Sequence, residues 1–211
     1  MGDRVRGKTG ELPAWSDGYT DVPAGKIAAV VTSLEMLARP RPRPDPPDAL
    51  WRLRRVADPD LDWFRDLYRR VGQDWLWFSR LTLSDDALAA IVRDPSIELY
   101  ALEQQGRDEG LLELDFRQAG DCELSFFGVT PDFVGQGAGR WLMNRALELA
   151  WSRPLRRFWV HTCTLDHPRA LSFYLRSGFS AYRRQIEIAD DPRIAGILPA
   201  SAAPEIPVIG R

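Results

Sequence analysis

The chain has 211 residues, of which 45% are hydrophobic and 27% charged, a composition typical of a globular protein with one sizeable domain or two small ones. The formal net charge of −2 gives no electrostatic basis for binding nucleic acid, which requires a basic face. Two cysteines are too few for a disulfide framework and suit a reducing compartment. Because no apolar run approaches the ~20 residues that cross a bilayer and the N-terminus lacks a signal-peptide core, we expect a cytoplasmic protein with no membrane contact.

The N-terminal part predicts an arm, one strand and a stiff connector. Residues 1–25 are polar and contain glycine and proline, so we expect a loose arm. Residues 26–37 predict a strand. Residues 39–47 alternate arginine and proline and then end in Asp-Pro-Pro. Because proline lacks an N–H donor and biases its predecessor to extended geometry, this segment predicts a polyproline connector. Alternation puts four apolar residues of the strand on one face: Ala28, Val30, Leu34 and Met36.

The middle of the chain alternates strand and helix patterns. Residues 49–56 alternate apolar and charged side chains and predict a strand. Helical spacing follows over residues 61–71, with Asp58 or Asp60 as the cap, and a second helix starts at Ser84. Three strands separated by glycine turns come next and predict an antiparallel meander: residues 97–103, 111–117 and 122–129.

A glycine-rich turn joins the last of these strands to a helix. Gly135, Gly137 and Gly139 occupy the turn, and residues 142–150 carry apolar side chains at helical spacing. Glycine lets the backbone adopt positive φ and brings N–H groups close to a ligand. The first N–H groups of a helix are unpaired and carry partial positive charge, so this site suits a phosphate or pyrophosphate. The alternative is an ordinary strand–helix turn without a ligand.

The remainder predicts a strand at residues 156–163, a short helix opened by Asp166-His-Pro168, and a final strand at residues 179–188. Residues 189–211 form a proline-containing extension with small apolar residues. Two alternatives stay open for this extension: it packs on the domain, or it reaches a partner subunit in a homodimer.

Two motifs in this order resemble those of the GNAT superfamily of N-acetyltransferases. Val129-Thr-Pro131, followed by Val134-Gly-Gln-Gly-Ala-Gly139, is similar to the acyl-CoA loop of that family, although the family usually has Gln or Arg at the position of Val134. The stretch from His167 to Phe179 is similar to the second signature, Asn-x-x-Ala followed by Tyr-x-x-x-Gly-Phe, with His167 in place of Asn. The resemblance covers about residues 49–188.

The resemblance implies a mixed α/β (α+β) GNAT fold. Its mostly antiparallel central sheet is splayed at the junction of the family's fourth and fifth strands (β4/β5), and helices lie on both faces. Residues 26–188 then form a single acyltransferase domain, with an extra strand and the proline-rich connector at residues 26–48.

The resemblance also implies transfer of an acetyl group from acetyl-CoA to a primary amine of a small molecule or peptide, within a ternary complex. Glu123 is then the base that takes the ammonium proton, and Tyr174 the acid that protonates the leaving thiolate. Strand alternation puts Glu123, Ser125 and Phe127 on one face. The implied acetyl-CoA-binding residues surround the loop: Phe127, Val129, Val134, Gly135, Gln136, Gly137, Ala138, Gly139, Arg140 and His167.

The acceptor amine is expected to contact Asp74, Trp75 and Trp77, whose carboxylate and rings suit a cation. His161 is expected to line the acceptor channel or to act as an alternative base. A Cys/His metal site would need more ligands than His161, Cys163 and His167 provide, so we expect no metal. A second function remains open, a GNAT-like domain that binds acyl-CoA without catalysis, as a sensor or assembly module.

Overall fold

The computed structural model of the protein describes residues 17–47 and 49–210, so most of the predicted N-terminal arm lies outside the described residues. These residues form one sheet of seven strands and four α-helices. The strands are β1 (Lys26–Met36), β2 (Arg52–Val56), β3 (Ile97–Gln104), β4 (Arg107–Asp115), β5 (Asp121–Val129), β6 (Arg157–Cys163) and β7 (Ser180–Asp190). The helices are α1 (Leu61–Gly72), α2 (Asp85–Val92), α3 (Ala138–Ala150) and α4 (Ala170–Arg176).

The sheet has the strand order β2-β3-β4-β5-β6-β1-β7. All neighbouring strands are antiparallel except β5 and β6, which are parallel. That parallel pairing joins only Asp121–Glu123 to Arg157–Trp159, although both strands continue beyond it. The sheet therefore splays between β5 and β6, which confirms the predicted mostly antiparallel, splayed architecture.

Helices cover both faces of the sheet. One core, here called the α3-side core, packs α3 and α4 on the sheet through residues such as Leu112, Leu142 and Phe158. The other, the α1-side core, packs α1 and α2 on the opposite face through residues such as Phe64 and Leu111. Fully burying a side chain of this size contributes about 1.5–3 kcal/mol.

Side-chain caps fix where α1 and α2 begin. The carboxylate of Asp60 accepts a hydrogen bond from the Trp63 N–H (2.9 Å), and the hydroxyl of Ser84 accepts one from the Ala87 N–H (3.3 Å). Each bond satisfies a donor that the helix itself leaves unpaired. Asp60, and not Asp58, is therefore the cap of α1.

The first strand is an integral part of the sheet, between β6 and β7. Leu34 and Met36 are buried in the α3-side core, whereas Ala28 and Val30 are exposed on the same face. Helices thus cover this face of β1 only near the C-terminal end of the strand. Because β1 lies five strand positions from β2, the connector must cross about 24 Å of sheet, which residues 37–51 span easily at about 3.1 Å per residue.

The connector crosses the sheet on the α3 side, and residues 39–47 are called the arginine–proline strap below. Asn144 of α3 donates hydrogen bonds from Nδ2 to the Arg43 carbonyl and to Asp45 Oδ1, both at 2.6 Å, and Arg145 pairs with Asp45. The strap is therefore fastened to α3 by its backbone and by Asp45.

The C-terminal extension packs on the domain. Leu198, Ala202 and Ala203 are buried against Ile27 of β1 and Leu76. This contact corresponds to the first of the two alternatives for the extension, packing on the domain. No helix within residues 17–47 and 49–210 is long and apolar enough to cross a membrane.

Candidate active site

An open cleft lies where the sheet splays. Beyond Glu123, the edge of β5 has no pairing with β6, and the residues of β6 after Trp159 pair only with β1. An unpaired strand edge presents N–H and C=O groups that a ligand with amides is able to bind.

A β-bulge in β5 changes which side chains face this cleft. Across the β4–β5 pairing, Glu113 lies opposite Phe126 and Leu114 lies opposite Leu124. Ser125 is therefore an extra residue without a partner in β4. A bulge of this kind interrupts the alternation of side chains along the strand.

The bulge overturns the expectation that Glu123, Ser125 and Phe127 share a face. Phe127 packs in the α3-side core and stacks on Phe173, with ring centroids 5.7 Å apart. Glu123 lies between two residues that belong to the α3-side core, so its side chain points to the opposite, α1-side face. The expectation assumed that side chains alternate without interruption along β5, whereas the bulge at Ser125 interrupts the β4–β5 pairing.

Glu123 lies at the point where the strands separate. Its side chain is 19% exposed, and Oε1 lies 3.7 Å from Nδ1 of His161. Burial raises the pKa of the Glu123 carboxyl above its usual value, and the neighbouring His161 acts to lower it. A carboxylate with a raised pKa is a stronger proton acceptor than an exposed one.

Tyr174 of α4 lies in the α3-side core, on the face of the sheet opposite to that of Glu123. It is buried among the rings of Phe127, Phe173 and Phe179, with centroids 5.6–6.3 Å away. Burial and the charge of Asp166 both raise the pKa of its hydroxyl far above the usual value. The hydroxyl is therefore protonated at neutral pH.

The glycine loop joins β5 to α3 as the sequence predicted, except that Gly139, expected in the turn, lies within the first turn of α3. Gly135 and Gly137 adopt positive φ of 89° and 90°, and Gly137 is the residue before the first turn of α3. No side chain of the described residues caps this helix N-terminus, so its first N–H groups remain available for an anion. An added Cβ at Gly135 would meet no atom within 4 Å, which shows open space beside the loop.

Other predicted loop residues fall into two groups. Val134 is exposed, and the Gln136 amide donates a hydrogen bond to the Asp132 carbonyl (2.5 Å), which stabilises the turn. Ala138 is buried at the start of α3, while Gly139 lies against Phe173. The space and the free N–H groups at this loop fit the pyrophosphate of a coenzyme A thioester.

Comparison with known proteins matches this geometry. The sequence model of the Acetyltransferase (GNAT) family matches residues 61–179, more than half of the chain. The protein belongs to the GNAT acetyltransferase family. An uncharacterised N-acetyltransferase of Methanocaldococcus jannaschii is 27% identical over 137 residues, which cover 60% of this chain and 59% of that protein. This chain therefore matches about three fifths of that relative's length.

Two solved structures have a similar fold. An aminoglycoside acetyltransferase from an uncultured soil metagenomic sample has a TM-score of 0.54 at 16% identity and covers 66% of this chain and 95% of its own. The ribosomal-protein-S18-alanine N-acetyltransferase of Escherichia coli has a TM-score of 0.53 at 17% identity, with 66% and 91% covered. At such identities the likeness shows the GNAT fold alone.

Trp77, which the sequence predicted as an acceptor contact, lies on the α1 side of the sheet, called the predicted acceptor side below. Its ring packs on Tyr68 and Phe126, with centroids 5.5 and 5.3 Å away, and lies over two glycines. An added Cβ at Gly128 would be 3.3 Å from the indole, and one at Gly72 would overlap the ring. The two glycines thus make room for the indole against the sheet.

The other predicted acceptor residues lie around Trp77. Trp75 packs on the His167 ring at 4.9 Å, and Asp74 is exposed in the short turn after α1. His161 is half exposed beside Glu123. His161 thus lies beside Glu123, and Trp75 lies beside His167. Trp77 contacts Asp166, while Asp74 faces solvent.

His167 begins the α4 region and is held locally. Its Nδ1 accepts a hydrogen bond from the Arg169 N–H (3.0 Å). Burial, and then the charge of Arg169, lower the pKa of its imidazole. The ring is therefore neutral at neutral pH, and its assignment to the acetyl-CoA side remains a prediction.

The sequence predicted for Asp166 only a place at the start of the short helix, whereas the structure shows it in contact with Trp77. Its carboxylate accepts hydrogen bonds from the Thr162 hydroxyl (2.7 Å), the Cys163 N–H (2.9 Å) and the Trp77 indole N–H (3.3 Å). It ties the end of β6 to the aromatic wall of the acceptor side. The Asp-x-Pro sequence signals the turn, but nothing in the sequence signals the contact with Trp77.

Proposed function

We propose that this GNAT protein is an N-acyltransferase that moves an acetyl group from acetyl-CoA to a primary amine. The observation that supports the proposal is a partly buried carboxylate, Glu123, at the point where β5 and β6 separate, with the hydroxyl-bearing Tyr174 on the opposite face of the sheet. Amine attack on a thioester needs one group to remove a proton and another to supply one. The cleft offers each group to a different substrate.

Acetyl-CoA, when bound, supplies an activated acyl group. The free N–H groups from Gly137 to Gly139 would hold its pyrophosphate, and the unpaired edge of β5 up to Val129 would bind the amides of its pantetheine arm. Phe127 and His167 would border the same arm. The proposed binding site thus uses mostly backbone groups, so it depends little on the side chain at Val134.

Glu123 is the proposed base, acting directly or through a water. Its raised pKa makes Glu123 a stronger proton acceptor than an exposed glutamate. His161 lies 3.7 Å from Glu123 and is the alternative base.

Tyr174 is the proposed acid. A neutral hydroxyl that is not engaged by another described residue is free to donate to a developing thiolate.

Direct transfer is supported by the state of the cysteines. Burial raises the pKa of the Cys163 thiol to about 11, and burial raises that of Cys122 even more. Since the thiolate is the nucleophile, neither residue suits a covalent acyl-enzyme route at neutral pH. The amine is thus proposed to react while both substrates are bound.

The proposed acceptor is a cationic amine with an apolar or flat body. Trp75 and Trp77 offer aromatic faces, and Asp74 offers a carboxylate at the rim. The named activities of the two solved structures, on aminoglycosides and on a ribosomal protein alanine, place both small molecules and peptides among the acceptors to be tried.

Release of free thiol from acetyl-CoA tests the proposal over a panel of amines, peptides and aminoglycosides. Acceptor-dependent thiol release that falls in Glu123→Gln and Tyr174→Phe variants is expected. Saturable acetyl-CoA binding without thiol release for any acceptor would favour the alternative, a non-catalytic acyl-CoA sensor. The presence of both Glu123 and Tyr174 favours the enzyme.

A further inference from the structure

A leucine occupies the left-handed position of the turn that follows α1. Leu76 has φ 52° and ψ 40°. Its N–H donates a hydrogen bond to the Gln73 carbonyl (3.2 Å), and the next N–H, of Trp77, donates to the Gly72 carbonyl (3.0 Å). These two bonds form a Schellman motif, in which glycine is the usual residue at the position of Leu76. A leucine there carries backbone strain that a glycine would avoid.

The Leu76 side chain packs on the C-terminal extension. It is 3% exposed and belongs to one cluster with Leu198, Ala202 and Ala203 of the extension. The extension is itself fixed at this point, because Arg193 donates hydrogen bonds to the carbonyls of Ala202 and Ala203 (both 3.2 Å). A glycine in place of the leucine would have no side chain to bury in this cluster. The strained leucine therefore joins the turn to the extension.

The residues on either side of Leu76 contact two consecutive residues of the loop after β6. Trp75 packs on the His167 ring, with centroids 4.9 Å apart, and the Trp77 indole N–H donates a hydrogen bond to Asp166 (3.3 Å). Leu76 sets the direction of both indoles, because a change of its φ and ψ rotates one indole relative to the other. One backbone conformation thus places both indoles across the splayed sheet.

The extension is an addition of this chain to the part that matches the GNAT family. The matched part ends at residue 179, before the extension begins. The cluster that the extension forms with Leu76 also packs against Phe78 and Leu165. Phe78 is the neighbour of Trp77 in the chain, and Leu165 is the neighbour of the aspartate that Trp77 binds. The extension therefore supports this contact from both of its sides.

We propose that the C-terminal extension takes part in acceptor selection by holding Leu76 in its left-handed conformation. This inference rests on the proposed function, because it assumes that the acceptor amine binds beside Trp75 and Trp77. Leu76 and Leu198 are positioning residues, since they act through the two indoles. When the packing of the extension is loosened, Leu76 relaxes and the indoles leave their partners. The acceptor then loses the aromatic faces of the predicted acceptor side, whereas the glycine loop at the start of α3 keeps its geometry.

Proton NMR of the full chain tests the position of Trp75 without turnover. The chain has two histidines, so its imidazole C–H signals belong to His161 and His167 alone. At alkaline pH, where both rings are neutral, the ring current of Trp75 shifts the His167 signals. Leu198→Ala removes apolar contacts from the cluster around Leu76. It is expected to move the His167 signals toward those of an exposed histidine and to leave the His161 signals in place.

Steady-state kinetics measure the consequence for the acceptor. Leu198→Ala is expected to raise the KM for the acceptor about 3–10-fold and to leave the KM for acetyl-CoA unchanged. Leu147→Ala is the matched control, because it removes the same atoms from the α3-side core, outside the cluster of Leu76. It is expected to lower stability without changing the acceptor KM or the His167 signals. Leu198→Met keeps the apolar volume and is expected to behave as the parent does.

Leu76→Gly separates the role of the side chain from that of the backbone conformation. Glycine adopts the left-handed conformation without strain but gives the extension nothing to pack on. The variant is expected to fold, to shift the His167 signals and to raise the acceptor KM as Leu198→Ala does. If the His167 signals stay as in the parent, the turn holds the indoles by itself and the inference is wrong. If Leu198→Ala does not fold, Leu76→Gly decides alone.

The kinetic outcomes separate this inference from the proposed function. If the parent releases thiol with an acceptor and Leu198→Ala leaves the acceptor KM unchanged, the inference is wrong and the proposed function stands. The same holds if Leu147→Ala raises the acceptor KM as much as Leu198→Ala does. If no acceptor supports thiol release in the parent, the proposed function fails, and the inference fails with it.

Discussion

The indole N–H of Trp77 donates a hydrogen bond to the carboxylate of Asp166 at 3.3 Å. Trp77 follows α1, whereas Asp166 follows β6, so the bond links the two sides of the splayed sheet on the predicted acceptor side. The same carboxylate is fixed by Thr162 and by the Cys163 N–H, and its charge contributes to the raised pKa of Tyr174. The wall of the acceptor site and the environment of the proposed acid are therefore connected through one side chain.

Trp77→Phe is expected to raise the KM for the acceptor severalfold while leaving the KM for acetyl-CoA unchanged. Phenylalanine keeps an aromatic ring over Gly128 but removes the N–H that binds Asp166. Alanine is a poorer choice, because truncating a packed aromatic residue destabilises a protein by about 3–5 kcal/mol. Steady-state kinetics with each substrate varied in turn measure the effect.

Asp74→Asn is the companion variant, since it removes only an exposed charge. It is expected to raise the KM for a cationic acceptor and to leave the KM for a neutral amine unchanged. The increase for the cationic acceptor is expected to become smaller as salt is added. Equal effects on both substrates, or none on the acceptor, would show that this turn does not border the acceptor site.

Arg193→Ala is expected to destabilise the fold by about 3–5 kcal/mol, the range for breaking a buried ion pair. Arg193 and Asp191 each have 2% of the side chain exposed, and Arg193 also donates to the carbonyls of Ala202, Ala203 and Ile206. Chemical denaturation measures the loss. Arg183→Ala on exposed β7 is the control, and is expected to change stability by less than about 0.5 kcal/mol.

The Arg193 effect also has a pH dependence of known sign. Hydrogen bonds from Arg193 hold the pKa of Asp191 below its usual range. A group with a depressed folded pKa contributes stability above its unfolded pKa of about 3.9, and that contribution is lost as pH falls through the folded value. The difference in free energy of unfolding between the parent and Arg193→Ala is therefore expected to become smaller in strong acid. A difference in free energy of unfolding that stays constant down to pH 2 would contradict this account.

The glycine loop and the helix starts were predictable because their signals are local. Gly135 and Gly137 adopt the positive φ that the sequence suggested, and α2 begins directly after Ser84, next to its predicted start. Each of these features depends on residues within a few positions of one another, so a short window contains the whole cause.

Features that depend on distant pairings were not predictable in this way. The extra residue at Ser125 exists only relative to the ladder with β4, and the position of β1 between β6 and β7 joins segments far apart in the chain. The contact of Trp77 with Asp166 likewise bridges 89 positions. Such partners are selected by the packing of the whole sheet, which no local pattern records.

Gly135→Asp is expected to weaken acetyl-CoA binding about tenfold or more relative to Gly135→Asn. Both substitutions place a side chain of the same shape in open space at a φ of 89°, so they share the backbone strain and differ in charge. The extra negative charge of Asp repels a pyrophosphate. Calorimetric titration measures the two affinities, and equal values would place the pyrophosphate elsewhere.

Gly137 is less suitable for this test. A side chain there would overlap Pro46, so a loss of binding would report a displaced strap as readily as a repelled phosphate.

Glu123→Gln is expected to lower kcat by about 10²–10⁴-fold near neutral pH. The carboxylate must be deprotonated to act as a base. Because its pKa is raised, the rate is expected to fall at a higher pH than it would with an ordinary glutamate as the base. At alkaline pH the amine is already neutral, so the difference between parent and variant is expected to shrink. A pH–rate profile of both proteins measures this.

His161→Gln separates the two candidate bases. His161 acts to lower the pKa of Glu123, so its removal is expected to move the acidic limb to higher pH with little change in the plateau rate. A plateau that falls as far as in Glu123→Gln would instead assign the base to His161.

Tyr174→Phe is expected to lower kcat by about 10²–10⁴-fold while leaving the Kd for coenzyme A and the melting temperature nearly unchanged. The phenyl ring keeps its contacts with Phe127 and Phe179, and the lost hydroxyl has no hydrogen-bond partner among the described residues. An acyl donor with a more acidic thiol needs less protonation as it leaves, so such a donor is expected to recover part of the lost rate. Phe173→Leu is the control for packing, because it disturbs the same aromatic cluster but leaves the hydroxyl in place. If Tyr174→Phe and the parent show the same rate with both donors, the proton comes from another source.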